Sequence, residues 1–314
     1  MIIFSIISCI KEELPVPAHV AGDIVLEQVE MGEYYNTQIF YHLESKSTVT
    51  QNNETDWEIA FECSDSGSNV ILNSSIVCSA YNTYSTNFDS SYAIPISGWK
   101  YDVTNGNLDS TAIVIDSNNY VYIINLGTSV SQNIERGYKK IIIKIINNQQ
   151  YQIRSADLSG ENDTTITIYK DSDFNFLAYS LTTNTVVDVF PFKNNWDLMF
   201  TAYTHLFKDY DPPLPYRVSG VLINRFNTLV SEDTTYNFNE INYDLVQNSS
   251  TLEYVSDIDV IGYDWKPYNG TFTIKENLNY VIKTNSGLYF KLRFVDFYND
   301  NGVKGSPKFE FQKL

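Results

Sequence analysis

Trp57-Glu58-Ile59-Ala60-Phe61 and Trp196-Asp197-Leu198-Met199-Phe200 decide the fold, because each sets large apolar residues at every second position around acidic or thinner ones. That two-residue period belongs to a strand whose alternate side chains point to opposite faces of a sheet. Outward from these segments, Tyr120-Val121-Tyr122-Ile123 alternates in the same way, and Lys140 to Ile146 and Leu288 to Phe294 are short β-branched or aromatic runs. Clusters of Asn, Asp, Ser and Gly bound the runs, with Asn105-Gly106 and Asn301-Gly302 reading as turns. The best helical candidate is short, Phe238 to Leu245. The pattern predicts an all-β, antiparallel protein.

The two opening segments also belong to an internal repeat. Upstream, Tyr41-His42-Leu43 matches Tyr179-Ser180-Leu181 in nearly the same register. Downstream, Val70-Ile71-Leu72-Asn73 matches Val221-Leu222-Ile223-Asn224, Trp99-Lys100 matches Trp265-Lys266, and Tyr138-Lys139-Lys140-Ile141 matches Tyr289-Phe290-Lys291-Leu292. The conserved order predicts two homologous units of roughly 145 residues, near the usual domain size, at 22–170 and 171–314, after a leader remnant and linker at 1–21. The second unit carries extra residues in Thr204 to Arg217, a stretch rich in rings and prolines that reads as a binding loop or a stiffened hairpin tip.

Composition narrows the function. The 314 residues carry a formal charge of −17, which disfavours nucleic acid and anionic membrane surfaces. Three His, three Cys and three Met leave little from which to build a zinc site or a His-dependent triad. The phosphate-loop, dinucleotide, nucleophile-elbow and zincin motifs are absent, and no carboxylate pair stands out as facing another across a cleft. Asp171-Ser172-Asp173 and Glu161-Asn162-Asp163 do not complete a calcium loop and read as solvated turns. A non-enzymatic protein is expected.

Met1 to Ser8 is apolar and runs into Cys9, which looks like the end of a bacterial lipoprotein signal whose cysteine is lipidated. The following Ile10-Lys11-Glu12-Glu13 is similar to the start of surface-exported lipoproteins of Bacteroidetes, which implies an outer-membrane lipid anchor facing the extracellular side. The alternative is an apolar strand followed by a charged linker. Cys63 and Cys78 then remain as a pair. The turn at Ser64 to Ser68 would match residues near 63 with residues near 70, so two buried free thiols are expected over a disulfide.

The C-terminal stretch Tyr280 to Phe294, then Asp296-Phe297-Tyr298 and Gly302-Val303-Lys304-Gly305-Ser306-Pro307-Lys308-Phe309, resembles the HmuY family, as does the Trp196-Asp197 strand. The first half resembles it more weakly, so the chain reads as a tandem of sandwich-like or barrel-like HmuY units. The resemblance implies surface lipoproteins that bind haem and pass it to a TonB-dependent outer-membrane receptor. It also implies two His or Met axial ligands, but the comparable stretch, roughly Thr251 to Tyr280, has neither. Tyr263 and Tyr268, flanking Trp265, are the phenol candidates there, and His205 with Tyr203, Tyr210 and Tyr216 marks the extended stretch as a second part of the site. A module that binds a protein or glycan partner and no haem is the competing expectation.

Overall fold

The computed structural model describes residues 19–314, so Cys9 and most of the 1–21 segment lie outside the described residues. In chain order the strands are β1 (Ile24–Gln28), β2 (Thr37–His42), β3 (Ser47–Asn53), β4 (Ile59–Glu62), β5 (Val70–Leu72), β6 (Ser79–Asn82) and β7 (Tyr122–Asn125). There follow β8 (Thr128–Ser129), β9 (Ile134–Glu135), β10 (Tyr138–Asn147), β11 (Gln150–Ala156), β12 (Thr164–Tyr169), β13 (Phe176–Ser180) and β14 (Thr185–Val187). The remainder are β15 (Leu198–Phe207), β16 (Leu214–Ile223), β17 (Thr228–Asp233), β18 (Asn279–Thr284), β19 (Tyr289–Tyr298) and β20 (Lys304–Lys313). The helix, α1 (Tyr243–Asn248), starts later than the sequence suggests, where the Asn242 side chain caps the Leu245 N–H at 2.9 Å.

The main sheets run β1-β20-β19-β18-β17, β16-β15-β2-β3, β14-β13-β4-β5 and β12-β11-β10-β7-β6, and they stack in that order. Alternation explains the stacking. Ile39, Tyr41, Leu198 and Phe200 face the first sheet, in one core with Tyr280, Leu292 and Phe309. Ile59 and Phe61 face the last sheet, with Ile124, Ile141 and Ile153. The intervening Phe40, Ala60, Phe176 and Ala178 point the other way and join Trp57 and Trp196 in a third core between the two inner sheets, so the tryptophans do not share a face with Ile59, Phe61, Leu198 and Phe200 as the two-residue period predicts, because both precede the first residue of the strand. The Trp-acidic-apolar segments are thus covered on both faces, and the acidic residue needs a partner to be there.

Those partners come from the opposite half of the chain. β2 pairs with β15, Tyr41 opposite Leu198, while β13 pairs with β4, Tyr179 opposite Ile59. Each half therefore lends its first hairpin to the other, and the strand pairing crosses the 22–170 and 171–314 segmentation. The reciprocal bonds match closely: Asp197 accepts the Leu43 N–H at 2.8 Å and Glu58 accepts the Leu181 N–H at 2.6 Å. Asn73 and Asn224 each donate to the carbonyl of the tryptophan in their own half, at 2.8 and 3.0 Å. Lys140 and Lys291 likewise each donate to a carbonyl of the loop above, Phe88 O and Phe238 O, both at 2.7 Å. The match of Trp99 to Trp265 is not reproduced, since Trp99 is half-buried on Tyr81 and Tyr138 whereas Trp265 is buried against Phe294.

The extra stretch Thr204 to Arg217 is mostly strand. β15 and β16 stay paired out to Phe207 opposite Leu214, because the alternation of His205 and Phe207 with Leu214 and Tyr216 continues the ladder past the prolines. Cys63 and Cys78 are buried free thiols. Gly305, the second residue of β20, has φ +97°, and a Cβ there would fall 2.2 Å from the Gly32 carbonyl. That close approach docks the start of β20 onto the Gly32 turn, with Met31 N–H donating to Gly305 O at 2.8 Å.

Phe40 is fully buried and edge-on to Trp196 at 5.0 Å. Phe40→Ala is expected to lower stability by about 3–5 kcal/mol. Because the halves share hairpins, urea unfolding followed by Trp fluorescence and by circular dichroism should give coincident single transitions; separate transitions would contradict the interlock.

Candidate functional site

A cleft of about 690 Å3 opens where the β15–β16 hairpin, the segment between α1 and β18, and the β19–β20 turn meet. The middle segment is placed by backbone. Val221 and Gly262 exchange N–H to carbonyl bonds at 2.9 and 3.0 Å. Only a glycine fits opposite, since a Cβ on Gly220 would lie 2.2 Å from Gly262 O. The chain then folds back on itself, Lys275 N–H donating to Trp265 O at 3.0 Å, and Phe272 N–H donates to the Tyr298 hydroxyl at 2.8 Å. Tyr263 and Tyr268 are thereby held beside Phe272, and Phe207 and Tyr216 of the hairpin complete the aromatic walls.

Arg217, Lys266, Lys275 and Lys304 also line the cleft, against a single acid, Asp264. Arg217 is committed to the fold: it donates to Ser75 O at 2.6 Å and to the Tyr35 carbonyl at 3.2 Å, and pairs with buried Glu54 at 2.6 Å. Lys266 is buried at the base, donating to Ser219 O at 2.6 Å with its ammonium 4.7 Å from the Phe297 ring and 5.1 Å from that of Trp265. Lys275 reaches Asp264 at only 3.4 Å, both half exposed. Lys304 sits 5.3 Å over the Tyr35 ring and makes no ion pair among the described residues. Burial pushes the Tyr35 phenol up to about 12, and burial with nearby Asp264 and Asp259 raises that of Tyr263.

Of the residues singled out in the sequence, Tyr216, Tyr263 and Tyr268 come together on this cleft. Trp265 does not line it; it is buried beneath, stacked on Phe294 at 3.8 Å. Tyr203 is buried too, on a separate apolar hole of about 120 Å3 between the halves that Trp57 and Met199 also line. His205 stands behind the wall, edge-on to Tyr263 at 5.2 Å and to Phe207 at 4.8 Å, its Nδ1 buried without a hydrogen-bond partner among the described residues. Tyr210 is exposed near the hairpin tip. His42 binds Ser45 at 3.0 Å beside Asp197, and His19 stacks on Tyr243 at 4.1 Å, so the histidines do not converge. Sequence reasoning passed over Tyr35, Lys275, Tyr298 and Lys304 as site residues; Lys304 lies within the closing-turn motif, the one signal that could have marked it.

Burial depresses the Lys266 ammonium to about 7, with Asp264 opposing. Between that value and the ordinary 10.5 the unfolded chain holds a proton there that the folded one has released, so stability rises with pH across this window. Relative to Lys266→Met, the wild type should gain about 3 kcal/mol over that range after allowance for the rings, read by urea denaturation at several pH values. A constant difference would show that the ammonium stays charged.

No curated protein matches the chain. Among solved structures, apo PinO from Porphyromonas gingivitis is 11% identical with a TM-score of 0.35, covering 93% of this chain and 97% of that one. The apo HmuY analogue from Tannerella forsythia is 10% identical with a TM-score of 0.28, covering 94% and 98%. A protein from Bacteroides vulgatus described as HmuY-like and heme-binding is 13% identical with a TM-score of 0.22, covering 92% and 90%. The family model of the HmuY protein matches residues 34–311 in one span that crosses both interlocked halves, and the chain belongs to the HmuY family.

Proposed function

We propose that this HmuY-family chain is a non-enzymatic surface lipoprotein, anchored to the outer membrane through Cys9, that captures haem or a related ligand in the Tyr263–Tyr268 cleft and hands it to a TonB-dependent receptor. The observation that carries the reading is the cleft itself. Its volume of about 690 Å3 lies within the range of small-molecule sites, its walls are aromatic, and cations line it in a chain of net charge −17. A planar ring bearing carboxylates matches that combination: ring faces stack on tyrosine and phenylalanine, and carboxylates meet ammonium groups. The family's His or Met axial ligands have no counterpart among the lining residues.

The second reading, a docking module for a protein or glycan, is favoured by the exposure of the rim. Tyr216 and Tyr268 on the cleft are 58% and 65% exposed, and Tyr210 near the hairpin tip is 58% exposed. Haemin titration of the chain from about Glu13 onward separates the two. Saturation at one haemin per chain is expected, weakened about tenfold by Tyr268→Ala, equivalent to about 1.4 kcal/mol, at unchanged melting temperature. Tyr169→Ala, an equally exposed ring on β12, should leave binding alone. Absence of saturable binding would remove the haem reading and leave the docking one.

A further inference from the structure

We infer that the cleft holds its ligand by the tetrapyrrole ring and its carboxylates and not by the iron, so that a metal-free dicarboxylic porphyrin is as good a ligand as haem. The inference rests on the tetrapyrrole reading of the cleft and deepens it. Among the described residues, those lining the cleft include no His, Met or Cys. The remaining candidates for an axial bond are the phenols of Tyr35, Tyr216, Tyr263, Tyr268 and Tyr298, and a phenol, whose ordinary pKa is about 10, ligates ferric iron only after giving up its proton. Burial and the negative field of Asp264 and Asp259 raise the Tyr263 phenol further, and burial raises that of Tyr35. Tyr298 already accepts the Phe272 N–H. His205 is screened by Tyr263 and Phe207, whose rings close on it from the cleft side.

What the cleft does offer is two loosely held cations beside a pair of aromatic rings. The Arg217 donors are taken up by Glu54 and by backbone carbonyls, and Lys266 is buried against Ser219 O. Lys275 and Lys304 are left: the first holds a long, solvated pair with Asp264, which a ligand carboxylate can displace at small cost, and the second has no acidic partner among the described residues. Two ammonium groups match two propionates. The rings of Tyr268 and Phe272, 4.9 Å apart, supply faces for a macrocycle whatever its metal content.

The test titrates the chain from about Glu13 onward with haemin, with protoporphyrin lacking metal, and with the dimethyl ester of that porphyrin, following Trp fluorescence and Soret absorbance. Haemin and the free porphyrin should bind within about threefold of each other. The ester should be weaker by about tenfold or more, and Lys275→Gln with Lys304→Gln should weaken both acids to a similar degree at unchanged melting temperature. Haemin binding more than about tenfold tighter than the free porphyrin overturns the inference while leaving the proposed function intact, and loss of that preference in His205→Ala or Tyr263→Phe would identify the ligand. Binding of the ester as tight as that of the acids overturns the carboxylate part. Failure of all three to bind removes the tetrapyrrole reading itself.

Discussion

The structure depends on two carboxylates held inside it. Glu58 and Asp197 stand immediately before β4 and β15, strands that are covered on both faces, and each is kept there by accepting a backbone N–H from a hairpin contributed by the other half. A buried carboxylate without such a donor would cost several kcal/mol. Glu58 is further matched by Arg136 at 2.5 Å, whereas burial raises the Asp197 carboxyl above its ordinary range. The hairpin exchange and the carboxylate pair are thus one device: the acid beside each tryptophan specifies the partner strand, and the partner strand makes the acid tolerable.

This explains what could be read in advance. The strands, the turn at Ser64 to Ser68 and the free thiols all follow from local chemistry, which neighbouring residues carry. The exchange does not, because matching Tyr41-His42-Leu43 to Tyr179-Ser180-Leu181 says that two segments are alike and not which strand each will lie beside. The prolines between Thr204 and Arg217 suggested a loop, yet cross-strand pairing from His205 to Tyr216 outweighs them, and the break is confined to the turn between Phe207 and Leu214.

The site divides along the same line. Tyr263 and Tyr268 were singled out through the family resemblance and Tyr216 through the ring-rich stretch, and the three line one cleft. Tyr203 and Trp265 lie away from the cleft wall: parity along β15 sets Tyr203 beside Thr201 and Met199 at the junction of the halves, and Trp265 is buried in the outer core. Lys304 and Tyr35 reach the cleft only because the start of β20 lies against the turn before β2, a contact between opposite ends of the chain. No short-range pattern could have announced it.

That contact between ends has a bearing on how the protein is made. β1 pairs with β20 along its whole length, Ile24 opposite Gln312, and Lys304 stands at the start of that last strand. A chain emerging from its N-terminus therefore carries an unmatched edge until its final residues appear, and its first half lacks β13 until the second has begun. Contacts so distant in sequence make ordering slow. They also keep a nascent chain open along its length until the interlocked sheets close.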